Sequence, residues 1–175
     1  ICGSRKPISQ AEHEQFGDGV PVDQDRAGLE SVCKAFTNTS VSNINMSRCG
    51  FGPKAMATLA KFIPDIAAID DMTLDGNPIT GAGAEYDDGS GRPRCKNIDS
   101  NMSGFVSLCD AMKTSAIAKV SVSDCGIGSK SMSTLAEFIR DSATIRGVNF
   151  SDNPIVGSRK LKSGVFNKDI DKTLD

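Results

Sequence analysis

The sequence has few of the residues from which active sites and membrane segments are built. It contains one His, one Tyr and no Trp among 175 residues, and no run of 18 apolar residues. One His cannot supply a two-His zinc site, and without a long apolar run no insertion into a membrane is expected. The 22 acidic residues slightly outnumber the 20 basic ones, which form no basic run. Nucleic-acid binding needs clustered Lys and Arg, so no nucleic-acid partner is expected either.

Nothing in the chain marks a catalytic centre. His13 lies between two glutamates, and no nucleophile or orienting group accompanies it in the sequence. The segment Gly126–Ser131 lacks the spacing of a phosphate-binding loop. Asp87 and Asp88 lack the spacing of a calcium loop. We therefore predict that the chain is not an enzyme and binds no cofactor or metal.

The chain is a tandem repeat, which is the first thing to look for in a sequence. Two short motifs occur twice, and both pairs are offset by 76 residues, as from Ser47 to Ser123. The segment 29–79 aligns with 105–155 without a gap. The motifs are SRCGFG at Ser47–Gly52, SDCGIG at Ser123–Gly128, GNPI at Gly76–Ile79 and DNPI at Asp152–Ile155.

A finer repeat occurs twice in each 76-residue unit. Its copies begin at Val41, Ile69, Ile117 and Ile145, with apolar residues at positions one, four, six and eleven. Position nine is Cys49, Asn77, Cys125 and Asn153, which we name the ladder positions. This pattern is the leucine-rich repeat signature. The copies are 28, 48 and 28 residues apart, so the middle interval carries an insertion.

The segments between these copies have apolar residues at i, i+3, i+4 and i+7, which predicts helices with one buried face. We also expect four cysteines of the repeat, Cys33, Cys49, Cys109 and Cys125, to be buried. Cys2 and Cys95 fall outside the repeat, and a disulfide pair and two free thiols are both consistent with their positions. The helix faces are Leu29, Val32, Cys33 and Phe36; Met56, Leu59, Ala60 and Ile63; Phe105, Leu108, Cys109 and Met112; and Met132, Leu135, Ala136 and Ile139.

On these motifs the chain resembles the leucine-rich repeat family, and within it the ribonuclease-inhibitor-like subfamily. The resemblance covers roughly residues 22–155, although Met, Val, Ile and Phe stand where Leu is usual. It implies an α/β fold: a right-handed, curved solenoid with a parallel sheet on the concave face and helices on the convex face. About four full repeats and partial repeats at the ends are expected. The resemblance also implies binding rather than catalysis.

We divide the chain into five segments of one solenoid domain. They are a partial repeat with a variable loop at 1–21, the first unit at 22–79, an inserted loop at 80–97, the second unit at 98–155, and a loop with the start of a further unit at 156–175. The chain starts with Ile and out of phase with its repeat, which predicts either a piece of a longer solenoid or a processed terminus. Free cysteines in a core favour an intracellular location, the cytoplasm or an organelle.

The expected concave face is one candidate interface. Alternate strand residues point there, and they are small and polar without any aromatic side chain. Protein-binding hot spots favour Trp, Tyr and Arg, so a solvated sheet is the alternative interpretation. The candidate contacts are Asn43, Asn45, Asp71, Thr73, Asp75, Lys119, Ser121 and Asn149.

The inserted loop is the second candidate. Its Gly, Pro and Asp residues are typical of a turn or hairpin. Insertions in repeat proteins often lie on the binding face, and a tolerated surface loop is the alternative. The candidate contacts are Tyr86, Asp87, Asp88, Arg92 and Arg94.

Taken together, the sequence predicts a non-enzymatic module that binds other proteins with its surface and edge loops. The alternative is a structural subunit built permanently into a larger assembly, which contacts its neighbours at the solenoid ends. The lack of a recognisable cap motif favours such end contacts. Tropomodulin-like proteins, which use similar repeats of about 28 residues, represent a cytoskeletal version of this role.

Overall fold

A computed structural model of the chain describes residue 23 and residues 26–86 and 93–156, without the side chains of 84–86 and 93–96. This part of the chain contains four α-helices and six strands. The helices are α1 Ala27–Phe36, α2 Pro53–Phe62, α3 Ser103–Met112 and α4 Ser129–Asp141. The strands are β1 Asn43–Asn45, β2 Asp71–Thr73, β3 Gly83–Tyr86, β4 Pro93–Lys96, β5 Lys119–Ser121 and β6 Gly147–Asn149.

Four of the strands form one parallel sheet in the order β1-β2-β5-β6. The predicted α/β fold with a parallel sheet is therefore confirmed. The strands pair without offset, so that equivalent repeat positions lie side by side. Two rows of register partners are Asn43, Asp71, Lys119 and Gly147, and Asn45, Thr73, Ser121 and Asn149.

The insertion does not interrupt this sheet. β2 and β5 flank it in the sequence and are still hydrogen-bonded neighbours. Within the insertion, β3 and β4 pair antiparallel as a separate two-stranded sheet, with Gly83 opposite Lys96 and Tyr86 opposite Pro93. The predicted turn or hairpin is thus a hairpin.

The core lies between the sheet and the helices. The central residue of each strand points into it, and Ile44, Met72 and Val120 are 5%, 0% and 3% exposed. The predicted faces of α2 and α3 meet these residues, and Met56 and Phe105 are almost fully buried. Burial of this kind stabilises by about 1.5–3 kcal/mol for each large apolar side chain.

Gly104 sets how closely α2 and α3 approach. A Cβ atom at this position would lie 1.7 Å from the carbonyl oxygen of Pro53, the first residue of α2. No side chain fits there, so glycine is required where the second unit packs on the first. The helix propensity that glycine loses, about 1 kcal/mol relative to Ala, is offset by this packing.

The predicted buried face of α4 is partly wrong. Leu135 is buried as expected, but Ala136 is exposed, Ile139 is 40% exposed, and the buried residue of the last turns is Phe138. The cause is a difference in local structure: α4 continues for 13 residues, whereas α2 stops after ten and Ile63 begins a 3₁₀ turn. Positions that are equivalent in sequence therefore face different surroundings.

The ladder residue Asn77 joins two repeats through all of its hydrogen-bonding groups. Its Oδ1 accepts from the backbone N–H of Cys49 (2.9 Å) and of Phe51 (3.0 Å). Its Nδ2 donates to the carbonyls of Met46 (2.8 Å) and Leu74 (2.7 Å). Asn77 is 0% exposed, so these bonds satisfy, from inside the protein, backbone groups of the turn after β1 that the sheet does not pair.

Asn153 repeats this arrangement 76 residues later. Its Oδ1 accepts from the N–H groups of Cys125 (2.9 Å) and Ile127 (3.0 Å). Its Nδ2 donates to the carbonyls of Val122 (2.8 Å) and Phe150 (3.0 Å). The asparagine ladder positions thus act alike in both units.

The prediction that all four repeat cysteines are buried is wrong for Cys49. Cys33, Cys109 and Cys125 are at most 1% exposed, but Cys49 is exposed. The thiol of Cys125 donates to the carbonyl of Leu74 in the preceding repeat (3.3 Å). Cys49 follows β1, which lies at the edge of the described sheet, so it has no equivalent neighbour among the described residues.

A carboxylate from the start of each unit caps the second helix of that unit. Asp23 accepts hydrogen bonds from the N–H groups of Gly52 (2.9 Å), Lys54 (2.7 Å) and Ala55 (3.0 Å) at the start of α2. These N–H groups have no partner inside the helix. Asp23 therefore replaces the local N-cap side chain that α2 lacks.

Asp99 does the same for α4. It accepts from the N–H groups of Gly128 (3.0 Å), Lys130 (3.0 Å) and Ser131 (3.4 Å), and the Ser131 hydroxyl also donates to it. Asp23 and Asp99 both have positive φ, 60° and 55°, in the left-handed region that Asp tolerates better than most residues. These caps were not predicted from the sequence.

We expect Asn77→Ala to lower the free energy of unfolding by about 3–5 kcal/mol, because four backbone groups lose the hydrogen bonds of a fully buried side chain. Asn153→Ala is the matched control, since this ladder residue is partly exposed and water can replace some of its bonds. Its expected cost is about 1–2 kcal/mol. Urea unfolding of both variants measures the difference, and equal losses would contradict this account.

Asp99→Ala is expected to lower the free energy of unfolding by about 1–2 kcal/mol, the range for loss of a helix cap. Asp65→Ala removes an exposed carboxylate next to α2 and should change stability by less than about 0.5 kcal/mol. Thermal and urea unfolding compare the two. If both variants were equally stable, Asp99 would not be a cap of energetic consequence.

Candidate functional site: the open face of the sheet

The open face is the side of the four-stranded sheet that points away from the core. Structure and sequence agree on which residues form it, because strand residues alternate between the two faces. Asn43, Asn45, Lys119 and Asn149 are exposed, and Asp71, Thr73, Asp75 and Ser121 are partly exposed. All eight candidate concave-face residues thus lie on one accessible surface, whereas their role in binding stays a prediction.

The residues at the carboxyl ends of the strands are engaged with one another. Asp75 Oδ1 accepts from the Ser121 hydroxyl (2.6 Å) and from the Ser123 N–H (2.8 Å). Asn45 Oδ1 accepts from the hydroxyl and the N–H of Ser47 (2.6 and 3.0 Å). These polar groups stabilise the turns after the strands and have less capacity left for a partner.

Asn149, at the other edge of the sheet, also hydrogen-bonds to the turn that follows its strand. Its Oδ1 accepts from the hydroxyl and N–H of Ser151 (2.7 and 3.1 Å), and its Nδ2 donates to the hydroxyl of Ser121 (3.0 Å). Most side chains of the carboxyl-end rows of the open face are therefore joined to one another or to the following turns by hydrogen bonds.

The amino-end row differs, because its side chains make no hydrogen bond to other described residues. It consists of Asn43, Asp71 and Lys119, with Gly147 at the fourth position. The carbon stem of Lys119 lies toward β6, with Cγ 3.6 Å from the place of a Cβ on Gly147. The Lys119 ammonium and the Asp71 carboxylate remain available for a partner.

An ion pair next to this row was missed from the sequence. Arg146 donates from Nη2 to Asp70 Oδ1 (3.3 Å), and the two side chains are 73% and 48% exposed. They lie one residue before β6 and β2, on either side of the buried Ala118. The sequence does contain a sign of this ion pair, since residues 70 and 146 occupy equivalent positions of the two units and carry opposite charges.

The described side chains of the open face are amides, hydroxyls, carboxylates and one ammonium. Among the described residues no group of three or more His, Cys, Asp or Glu is placed to hold a metal ion. Burial raises the pKa of the Cys109 and Cys125 thiols to about 12, so both are protonated at neutral pH and are poor nucleophiles. What the face can provide is hydrogen bonds and charge.

A cavity of about 430 Å³ next to the start of α4 is not an anion site either. It is lined by Ile98, Asp99, Lys130 and Val156, among others. The helix N–H groups that would bind an anion there already donate to Asp99. The Gly126–Ser131 segment is thus a strand-to-helix turn closed by a carboxylate of the protein itself.

The inserted hairpin is anchored to the second unit at its base. Thr80 Oγ1 donates to the carbonyl of Gly126 (3.0 Å), and Ser100 Oγ donates to the carbonyl of Gly81 (3.1 Å). Of the loop candidates, Tyr86 is the last residue of β3 and Arg94 lies in β4. Asp87, Asp88 and Arg92, as well as His13 and Cys2, lie outside the described residues.

Comparison with known proteins gives a fold and no family. No family model matches the chain, and no curated protein matches it. Among solved structures it is similar to one titled Leiomodin-1 Actin-Binding Site 2, with a TM-score of 0.52 and 13% identity. The match covers 77% of this chain and 65% of that one, so this chain spans less than two thirds of its length. At this identity the likeness shows the fold alone.

The structure also bears on the membrane prediction. In the part of the chain that is described, none of the helices has the length and apolar character needed to cross a bilayer.

We expect iodoacetamide at pH 8 to alkylate the exposed Cys49 at least about a hundredfold faster than the buried Cys125, since Cys125 reacts only when the core opens. Mass spectrometry of the two peptides measures both rates. Protein unfolded in urea is the control, in which the two thiols should react alike. Similar rates in the native protein would contradict the burial of Cys125.

Proposed function

We propose that this chain is a leucine-rich repeat solenoid of the ribonuclease-inhibitor-like kind, and that it is a non-enzymatic module that binds another protein. Its contact surface is the charged strip, which we define as Asn43, Asp70, Asp71, Lys119 and Arg146. The strip lies at the amino ends of the strands on the open face.

The ladder geometry supports the repeat family. Asn77 and Asn153 satisfy the turn of the preceding repeat with the same four kinds of hydrogen bond. The parallel register aligns all four copies of the signature. Both features are what stacking of equivalent repeats requires.

The single observation that carries the binding role is the contrast between the two halves of the open face. Most carboxyl-end side chains hydrogen-bond to one another or to the turns that follow, whereas those of Asn43, Asp71 and Lys119 make no hydrogen bond to other described residues. A rigid sheet that presents unengaged polar groups loses little conformational entropy when it binds. Arg146 adds, next to this face, one of the residue types that are enriched in binding hot spots.

The positions of the charges along the strip determine which charges a complementary partner must carry. Asp70 and Asp71 place negative charge at β2, and Lys119 and Arg146 place positive charge toward β5 and β6. A complementary partner has basic groups facing β2 and acidic groups facing β5 and β6. Exposed charges of this kind increase the association rate and make it sensitive to salt.

The structural neighbour supplies a candidate partner. Its title describes an actin-binding site, so a protein of similar fold is used to bind a protein. This likeness makes actin a rational first probe for this chain. The substitutions for the experiment are chosen from the charged strip. The similarity to the leiomodin structure contributes only the choice of actin as a probe.

We expect Lys119→Glu to weaken binding of the partner about tenfold, the effect of a moderate hot spot. The matched control is Lys61→Glu, which makes the same charge change at an exposed position on α2 and should bind as the wild type does. Cross-linked pull-downs from source extract with all three proteins, quantified by mass spectrometry, identify proteins that Lys119→Glu alone loses.

Sedimentation with filamentous actin and titration with monomeric actin are run on the same three proteins. Binding that only Lys119→Glu weakens would identify actin as the partner. If no protein, actin included, distinguished Lys119→Glu from Lys61→Glu, the charged strip would not be the interface and the proposal would fail.

A further inference from the structure

We propose that Gly147 leaves a notch in the open face, and that an acidic side chain of the partner protein fills this notch and binds the ammonium of Lys119. The notch is the space above Gly147, at the position where the three other strands of the sheet carry a side chain. This inference rests on the proposed function, because it names the chemistry of one contact made by the charged strip.

The notch lies beside Lys119 in the amino-end row. The strands pair without offset, so Gly147 is the register partner of Lys119, and the row continues through Asp71 to Asn43. Neighbouring strands are about 4.8 Å apart, so the empty position is one strand spacing from the backbone of Lys119. Gly147 is partly exposed, and the notch is therefore open to a partner.

Packing inside the described structure does not require glycine at this position. Gly147 is not one of the glycines with positive φ, and β6 pairs with β5 without a bulge. Beyond its chain neighbours, a Cβ at Gly147 would meet only Cγ of Lys119 among the described residues, at an ordinary contact distance of 3.6 Å. Gly104 differs, since a Cβ there would lie 1.7 Å from a carbonyl oxygen.

A glycine that internal packing does not require points to a group outside the described structure. Glycine is disfavoured in strands, and a glycine inside a strand often marks a site where a ligand or another backbone approaches closely. A side chain at Gly147 would occupy the space that such a group needs. The lack of a side chain therefore keeps this part of the open face accessible.

The stem of Lys119 lies toward the notch, although a carboxylate stands on its other side. Asp71 is the register partner of Lys119 on β2, yet neither residue takes part in an ion pair within the part of the chain that is described. Lys119 approaches Gly147 instead, through its Cγ. Lys119 is exposed, so its ammonium can bind an anionic group that enters the notch.

A carboxylate suits these surroundings. Arg146 directly precedes Gly147, and its side chain is 73% exposed. Its guanidinium has five N–H donors, and the described structure shows one hydrogen bond from it, to Asp70. Two cationic residues thus flank Gly147, one along the chain and one on the neighbouring strand. Carboxylates form strong, charge-assisted hydrogen bonds with both kinds of cation.

This carboxylate belongs to a protein and not to a free small anion. Exposed ion pairs are weak, so Lys119 and Arg146 alone do not hold an isolated anion. An acidic side chain on a protein surface is also held by the contacts that its own protein makes with the rest of the charged strip. The proposed occupant is therefore an Asp or Glu of a partner whose basic groups face β2.

Gly147→Val tests the notch, because valine fills it with a side chain that strands favour. Its melting temperature should equal or exceed that of the wild type, whereas its binding of the partner should be about tenfold weaker. Gly147→Ala fills less of the notch and should weaken binding less, and it preserves the test if valine impairs folding. The control is Thr73→Val, which places valine on the open face outside the charged strip and should bind as the wild type does.

Carbodiimide cross-linking tests the chemistry of the occupant. The reagent activates a carboxylate, a lysine amine displaces the activating group as a urea, and the amide that forms contains no spacer. With filamentous actin, monomeric actin and source extract as probes, mass spectrometry should find Lys119 joined to an Asp or Glu of the bound protein. Gly147→Val should lower the yield of this cross-link about tenfold, and Thr73→Val should leave it unchanged.

The outcomes separate this inference from the proposed function. If Lys119→Glu weakens binding but Gly147→Val binds as the wild type does, the charged strip remains the interface and the notch is not occupied. A partner that depends on Lys119 but forms no cross-link from Lys119 to an Asp or Glu would overturn the acidic occupant. If neither Lys119→Glu nor Gly147→Val weakens binding, the proposed function itself fails, and the inference fails with it.

Discussion

The described sheet depends on one interaction: the turn that follows a strand has backbone groups that the sheet does not pair, and a side chain of the next repeat satisfies them. Asn77 does this with four hydrogen bonds from a side chain that is 0% exposed. Because its partners belong to two successive repeats, Asn77 joins the turn after β1 to the end of β2. Asn153 joins the turn after β5 to the end of β6 in the same way.

The repeating structural unit is longer than the spacing of 28 residues between the paired signature copies. Asp23 and Asp99 each cap a helix that begins about one repeat later in the chain, with 29 residues between Asp99 and Gly128. One such cap occurs per 76 residues, so two signature copies fold as one capped pair. Gly104, at the junction between pairs, has no equivalent role inside either pair.

The same division shapes the surface. Polar groups near the carboxyl ends of the strands are used to hold the turns in place, which makes the sheet rigid. Asp71 and Lys119 near the amino ends carry charge and make no hydrogen bond to other described residues. Val32, Val41 and Phe150, at the two ends of the described sheet, are exposed, whereas their equivalents Leu108, Ile117 and Leu74 are core.

The sequence by itself determined the repeat, the α/β fold and the residues of the open face, because apolar spacing of two and four residues decides which side of a strand or helix is buried. Only the tertiary structure decided the exposure of Cys49, the buried face of α4, the carboxylate caps and the Arg146–Asp70 ion pair. Each of these depends on which groups distant in sequence become neighbours. Local periodicity does not predict which groups become neighbours. Cys49 and Cys125 are the same residue type at equivalent repeat positions, and only their places in the sheet make one exposed and the other buried.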